Sequence, residues 1–162
     1  MKNNKLKNIK AMIFDVDGIM TDARIFYHSE GEWRRFFSIR DGHGIIKLQE
    51  AGFIVGIITT SNSEDIRKRA ERLKITHFYE GKRDKTGAWA DFLNKTGLSA
   101  SQVGYMGDDD MDLPLLEACG WAVTVPDGIS EAKKLADFVT HAHGGQGAVR
   151  EVCELLLNAR EK

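Results

Sequence analysis

The chain has 162 residues, 42% of them hydrophobic and 29% charged, with a formal net charge of -1 at pH 7. That length suits one domain over 1–162 with a sizeable core, and the near-neutral balance offers nucleic acid no polyanion-binding surface. The lysines among the first ten residues precede no apolar run of signal-peptide or membrane-spanning length, and Cys119 and Cys153 lie far apart without metal-ligand spacing, so a cytoplasmic protein with reduced thiols and no membrane partner is expected.

In chain order, Ala11-Met12-Ile13-Phe14 predicts a buried strand over 11–14 that delivers Asp15 and Asp17 at its carboxyl end. Had the strand continued, the two carboxylates would share a face. A turn at Gly18 would instead splay them into different roles, and the plainest alternative is an Asx-type turn with both solvated. Strands over 24–27 and 32–37, joined by His28-Ser29-Glu30-Gly31, read as a β-hairpin. Asp41-Gly42-His43-Gly44 opens a helix carrying Ile45, Ile46, Leu48 and Ala51, which Gly52 stops. A buried strand over 53–59 follows. Ser61 or Ser63 then caps a basic helix through Leu73, with Ser61 and Glu64 at capping-box spacing, and a short strand covers 76–79.

The second half predicts a helix over 85–96 ended by Gly97, a strand over 103–106, and directly after it Gly107-Asp108-Asp109-Asp110-Met111-Asp112. A helix over 113–119, a strand over 121–125, a helix over 130–135 and a strand over 138–140 continue the alternation. Gly144-Gly145-Gln146-Gly147 leads into a final helix through Leu157. This alternation specifies an α/β fold, a mostly parallel Rossmann-like sheet with helices on both faces and a protruding β-hairpin.

Ligands of such sheets gather at the carboxyl ends of the strands. Asp15 and Asp17, Thr59 and Thr60, and the acidic cluster from Asp108 end three strands, and Lys85 opens a helix nearby. Mg2+ takes hard oxygen ligands, commonly one or two carboxylates with phosphate and water, which suits Asp15 and Asp108. Thr59 and Lys85 would hold phosphoryl oxygens. Singly, each residue has a plainer reading: Thr59 as the end of a β-branched strand, Lys85 as a solvated first-turn lysine, and Asp109, Asp110 and Asp112 as partners of a helix dipole. Arg40, Asp41 and His43 could cap a helix. The cluster 144–147 could be a turn, since it lacks the lysine of a P-loop.

As a set, Asp15-Val16-Asp17-Gly18-Ile19-Met20-Thr21-Asp22, Thr59, Lys85 and Gly107-Asp108-Asp109 with Asp112 resemble the four motifs of the haloacid dehalogenase superfamily of phosphotransferases. That resemblance implies Asp15 as the nucleophile that forms an aspartyl-phosphate and Asp17 as the acid/base. It also implies Mg2+ held by the side chains of Asp15 and Asp108 and the backbone carbonyl of Asp17, with Asp109 and Asp112 in support.

Over its full length the chain is similar to the capless 3-deoxy-D-manno-octulosonate 8-phosphate phosphatases, on Arg40-Asp41-Gly42-His43-Gly44-Ile45, 81–85 and 144–151. The closer resemblance implies a small-molecule sugar-acid phosphate of lipopolysaccharide biosynthesis as substrate. Its contacts would come from Thr60, Ser61, Arg40, Asp41, His43 and Arg150, in a homotetramer assembled through the hairpins. One departure stands out: the second motif of the family usually continues Thr-Gly-Arg, and here it reads Thr59-Thr60-Ser61, without that arginine. Other readings are a phosphatase of a nonulosonate 9-phosphate and a catalytically idle oligomerisation module. A receiver domain would need an Asp after the third strand, and 76–80 has none.

Overall fold

The computed structural model describes residues 2–160. Its elements begin with α1 (Lys2–Asn8), β1 (Ala11–Phe14), a hairpin of β2 (Phe26–His28) and β3 (Glu32–Arg34), and α2 (Ile39–Glu50). They continue with β4 (Ile54–Ile58), α3 (Glu64–Arg72), β5 (His77–Tyr79), α4 (Thr86–Thr96) and β6 (Val103–Met106). The last are α5 (Leu113–Ala118), β7 (Trp121–Thr124), α6 (Ser130–Leu135), β8 (Phe138–Val139) and α7 (Ala148–Arg160). Six strands form one parallel sheet in the order β5-β4-β1-β6-β7-β8.

β1 is central because both of its faces are covered. Ala11 and Ile13 pack with Ala88, Trp89 and Phe92 of α4, Leu115 and Leu116 of α5 and Ala132 of α6. Met12 and Phe14 pack on the other side with Ile45 and Leu48 of α2, Ile66 and Ala70 of α3, and Val149, Val152 and Leu156 of α7. An uninterrupted apolar run without alternation is what a doubly covered parallel strand requires, and each such large side chain contributes roughly 1.5–3 kcal/mol. From β1 the chain steps to β4 and β5 on one side, then crosses back to β6, β7 and β8 on the other. The direction reverses at β1, which opens a crevice at its carboxyl end.

The expected elements form, with local differences. The lysine-rich start is helical: Leu6 packs against the core and Lys5 Nζ reaches Asp137 at 2.6 Å, but one apolar residue among lysines shows no period. α2 starts at Ile39, before Asp41, because Ser38 is its N-cap and its Oγ accepts from the Asp41 amide at 3.2 Å. α3 is capped at Ser63, and the Ser61–Glu64 box does not form because the Ser61 hydroxyl is spent on Asp17. The hairpin ladder is shorter than expected, pairing only Phe26 with Arg34, Tyr27 with Trp33 and His28 with Glu32. α7 runs on to Arg160. No helix among the described residues is long and apolar enough to cross a membrane.

Candidate active site

β1 stops at Phe14, and the Asp15 amide donates to Met106 O at 2.9 Å, which anchors the first motif to β6. The chain then turns tightly, with the amides of Ile19, Met20 and Thr21 all donating to Val16 O. This turn sends Asp15 and Asp17 in different directions. Gly18 makes it feasible: its φ is +87°, and a Cβ there would overlap the Asp108 carboxylate.

Asp15 meets a buried ionic cluster. Lys85 Nζ, on a residue only 2% exposed, donates to Asp15 Oδ1 at 2.8 Å and to Asp112 Oδ1 at 2.6 Å. The Tyr105 hydroxyl donates to the same Asp112 oxygen at 2.5 Å, while Asp112 Oδ2 accepts from the amides of Asp108 and Asp109 at 2.9 and 3.1 Å. Both oxygens of Asp112 are thereby committed to holding Lys85 and the loop. Asp108 differs: its Oδ1 is buried without a hydrogen-bond partner.

One oxygen from each of Asp15, Asp108 and Asp112 lies within 4.8 Å of the others. Asp15 and Asp112 pair with the Lys85 ammonium and Asp108 does not, so ionisation of all three carboxylates leaves two negative charges unbalanced. Burial, then the Asp112 charge, pushes Asp15 up to about 7 against the pull of Lys85. Burial, then Asp15 and Asp112, pushes Asp108 up to about 8. Burial disfavours the Lys85 charge, but Asp15 and Asp112 outweigh it and hold Lys85 above the ordinary lysine value. An orphaned carboxylate oxygen, hard oxygen donors and an excess of two negative charges fit a divalent cation such as Mg2+. Asp15 and Asp108 have the free capacity to hold it.

Across the crevice, Thr59 is buried at the end of β4, and its Oγ1 accepts from the Ser61 amide at 3.2 Å, leaving its hydroxyl proton free to donate. Asp17 is met by Arg35, which follows β3. Arg35 Nε donates to Asp17 Oδ1 at 2.5 Å, and Nη2 to Asp17 Oδ2 at 3.2 Å. Ser61 Oγ adds a donor to Asp17 Oδ2 at 2.5 Å. The guanidinium missing from the second motif is matched here by one that arrives from the hairpin.

Other expected residues stand outside this cluster. Thr60, Arg40 and His43 are exposed and make no hydrogen bond to the carboxylates. Asp41 is buried and accepts from the Arg150 amide at 2.9 Å, joining α2 to the start of α7, while the Arg150 guanidinium pairs with Glu154. Asp109 caps the 3-10 turn over Asp110–Asp112. Two residues of the site escape a reading of the sequence. A tyrosine in the buried β6, needing a partner for its hydroxyl, was a usable signal for Tyr105. Arg35 had none, since an arginine in a hairpin reads as surface.

Residues 75–152 match the haloacid dehalogenase-like hydrolase family. A 3-deoxy-D-manno-octulosonate 8-phosphate phosphatase of Haemophilus influenzae is 40% identical over 158 residues, 98% of this chain and 88% of that protein. The chain belongs to this phosphatase family. The crystal structure of the Moraxella catarrhalis enzyme, in complex with magnesium ion, phosphate ion and a KDO molecule, superimposes with a TM-score of 0.95 at 40% identity, covering 98% of this chain and 91% of that one. A cobalt-bound form from Haemophilus influenzae gives a TM-score of 0.93 at 40% identity, covering 98% of this chain and 92% of that one. The phosphatase is therefore a hydrolase of the haloacid dehalogenase type. The stretch 75–152 spans Lys85, Asp108 and Asp112.

Proposed function

We propose that this phosphatase hydrolyses 3-deoxy-D-manno-octulosonate 8-phosphate with Mg2+, as a step of lipopolysaccharide biosynthesis in the cytoplasm. The observation that carries the chemistry is the pairing of Asp15, gripped by Lys85 at 2.8 Å, with the unpartnered oxygen of Asp108. Full-length similarity to the octulosonate phosphatases supports the substrate. Two free cysteines suit a reducing compartment.

In this reading Asp15, Asp108 and the Asp17 carbonyl hold Mg2+, which when bound offsets charge on the phosphoryl group. The Asp15 carboxylate attacks phosphorus, the bond to the sugar oxygen breaks, and Asp17 gives that oxygen a proton. Asp17 then takes a proton from the water that attacks the aspartyl-phosphate, which frees phosphate and Asp15. Thr59 and Lys85 donate to the phosphoryl oxygens, and Asp112 with Tyr105 keeps Lys85 in reach. Arg40, His43, Thr60 and Arg150 are candidate contacts for the sugar acid, whereas Ser61, expected among them, is committed to Asp17 and Arg35. Asp41 supports them by fixing α2 to α7.

The working unit is proposed as a homotetramer assembled through the hairpin. Tyr27, Trp33 and Phe36 are exposed there, Phe36 to 72%, a concentration of aromatic surface that favours association. The test is phosphate release with Mg2+ from octulosonate 8-phosphate, a nonulosonate 9-phosphate and p-nitrophenyl phosphate. The octulosonate ester should give the highest kcat/KM, and Asp15→Asn should abolish turnover of all three. Preference for the nonulosonate ester would overturn the substrate, and an active Asp15→Asn variant the covalent route.

A further inference from the structure

The Arg35 side chain is only 7% exposed although it follows a hairpin that is otherwise open to solvent. A buried guanidinium must satisfy five N–H donors. Nε and one Nη2 donor serve Asp17, and the second Nη2 donor reaches Ser61 Oγ at 3.0 Å. Nη1 donates to Ser63 Oγ at 3.0 Å and to the Asp65 carboxylate at 3.3 Å. No donor is left for a substrate, so Arg35 is not a ligand for the sugar acid.

We propose that Arg35 is the positioning residue of Asp17, fixing the acid/base carboxylate against the first turn of α3 and tying proton transfer to the placement of the hairpin. The inference rests on the reading of Asp17 as acid/base. A two-point fork sets both the distance and the plane of a carboxylate, which a lysine cannot do. Ser61 completes the cradle, accepting from Arg35 Nη2 while donating to Asp17 Oδ2. At the far side Ser63 Oγ donates to Asp65 Oδ1 at 2.5 Å, so the anchor is itself braced. One guanidinium thus connects the first motif, the second-motif loop, the start of α3 and the hairpin. A salt bridge that merely stapled the hairpin would not need both oxygens of Asp17 and the neighbouring hydroxyl.

The test compares Arg35→Gln and Arg35→Lys with the full-length enzyme on two substrates. Octulosonate 8-phosphate has an alkoxide leaving group that needs a proton, whereas p-nitrophenolate leaves without one. Arg35→Gln should lower kcat for the sugar ester about 10- to 100-fold, a part of what general acid–base catalysis supplies, with little change in KM. On p-nitrophenyl phosphate it should show a burst of p-nitrophenol, because water activation in the second step is still impaired. Arg35→Lys, which keeps the charge but loses the fork, should fall between the wild type and Arg35→Gln.

In an Asp17→Asn background, Arg35→Gln should cost nothing more, since residues acting through one group are not additive. An undiminished further loss in that background would overturn the proposal, as would equal losses on both substrates in the first, phosphoryl-transfer step measured in a single turnover, or unchanged kcat. If Arg35→Gln fails to fold, Arg35→Lys is judged by the same substrate contrast and the same double variant. Wild-type enzyme inactive on both esters would sink the proposed function itself. Active wild type with unaffected Arg35 variants would sink only this inference.

Discussion

Asp15 is asked to be a nucleophile, yet in the metal-free protein burial and Asp112 push it up to about 7. The same holds for Asp108 at about 8. In the unfolded chain both release their protons near the usual carboxylate value, so between roughly pH 4 and pH 8 the folded metal-free protein binds more protons than the unfolded chain. The contribution of these two carboxylates to stability therefore falls as pH rises through that window, opposed in part by His77, which burial holds below its ordinary value. A bound divalent cation favours the ionised carboxylates and opposes this loss. The melting temperature of chelator-treated protein should drop between about pH 5 and pH 8, and the gain on adding Mg2+ should be larger at the higher pH. A metal-free melting temperature that rises across this range would contradict the charge balance drawn for the cluster. Asp15 and Asp108 were legible in the sequence because strand ends collect ligands, and Lys85 only as a member of the motif set, since by itself it reads as a solvated first-turn lysine. Asp41 and Arg150 were legible only as a similar stretch, and their contacts with each other depend on how α2 meets α7, which no local pattern encodes.

Among the elements, the loop 144–147, which reads as a glycine turn without the lysine of a P-loop, lies against the first motif. The Gly145 amide donates to Ile19 O at 2.9 Å, and a Cβ on Gly144 would overlap the carbonyl oxygens of Gly18 and Thr21. Both are backbone atoms and cannot swing aside. Gly144→Ala should therefore lower stability by about 1–3 kcal/mol and reduce kcat as well, because the displaced turn aims Asp17 and borders Asp108. Urea midpoints and steady-state rates would show the two effects together. A loss of stability with unchanged kcat would mean that the turn is held by β1 alone. Strands and helices were readable from apolar runs and glycine stops, since both faces of the sheet are covered. The start of α2 was not, because Ser38 and Ile39 fall between the strand expected over 32–37 and the Asp41-Gly42-His43-Gly44 stretch that reads as the helix opening. α1 carries too little apolar pattern to be seen.

For the whole molecule, the hairpin is too small to shield its own aromatic residues. Phe26 and Phe36 stack with ring centroids 5.1 Å apart, and Tyr27 packs edge-on to Trp33 at 5.2 Å, leaving their outer faces open. A two-stranded hairpin is marginal by itself in water. If the proposed tetramer forms, Phe36→Asp should convert it to smaller species and lower activity together, although Phe36 stands outside the proposed catalytic residues. Light scattering across a concentration series, with rates at each concentration, checks this. An active monomer would remove the need for assembly.

The contact between 144–147 and the Gly18 turn also bears on how the enzyme comes into being. The proposed nucleophile is Asp15 and its backing is the loop 144–147, so the crevice has no finished wall until the chain through Gly147 is in place. Pairings of such long sequence separation are formed late and slow the search for the native state. During refolding from urea, phosphatase activity should return no earlier than the fluorescence of the buried Trp89 and Trp121. Activity recovering in an earlier phase would mean that a partly folded chain already builds a competent crevice.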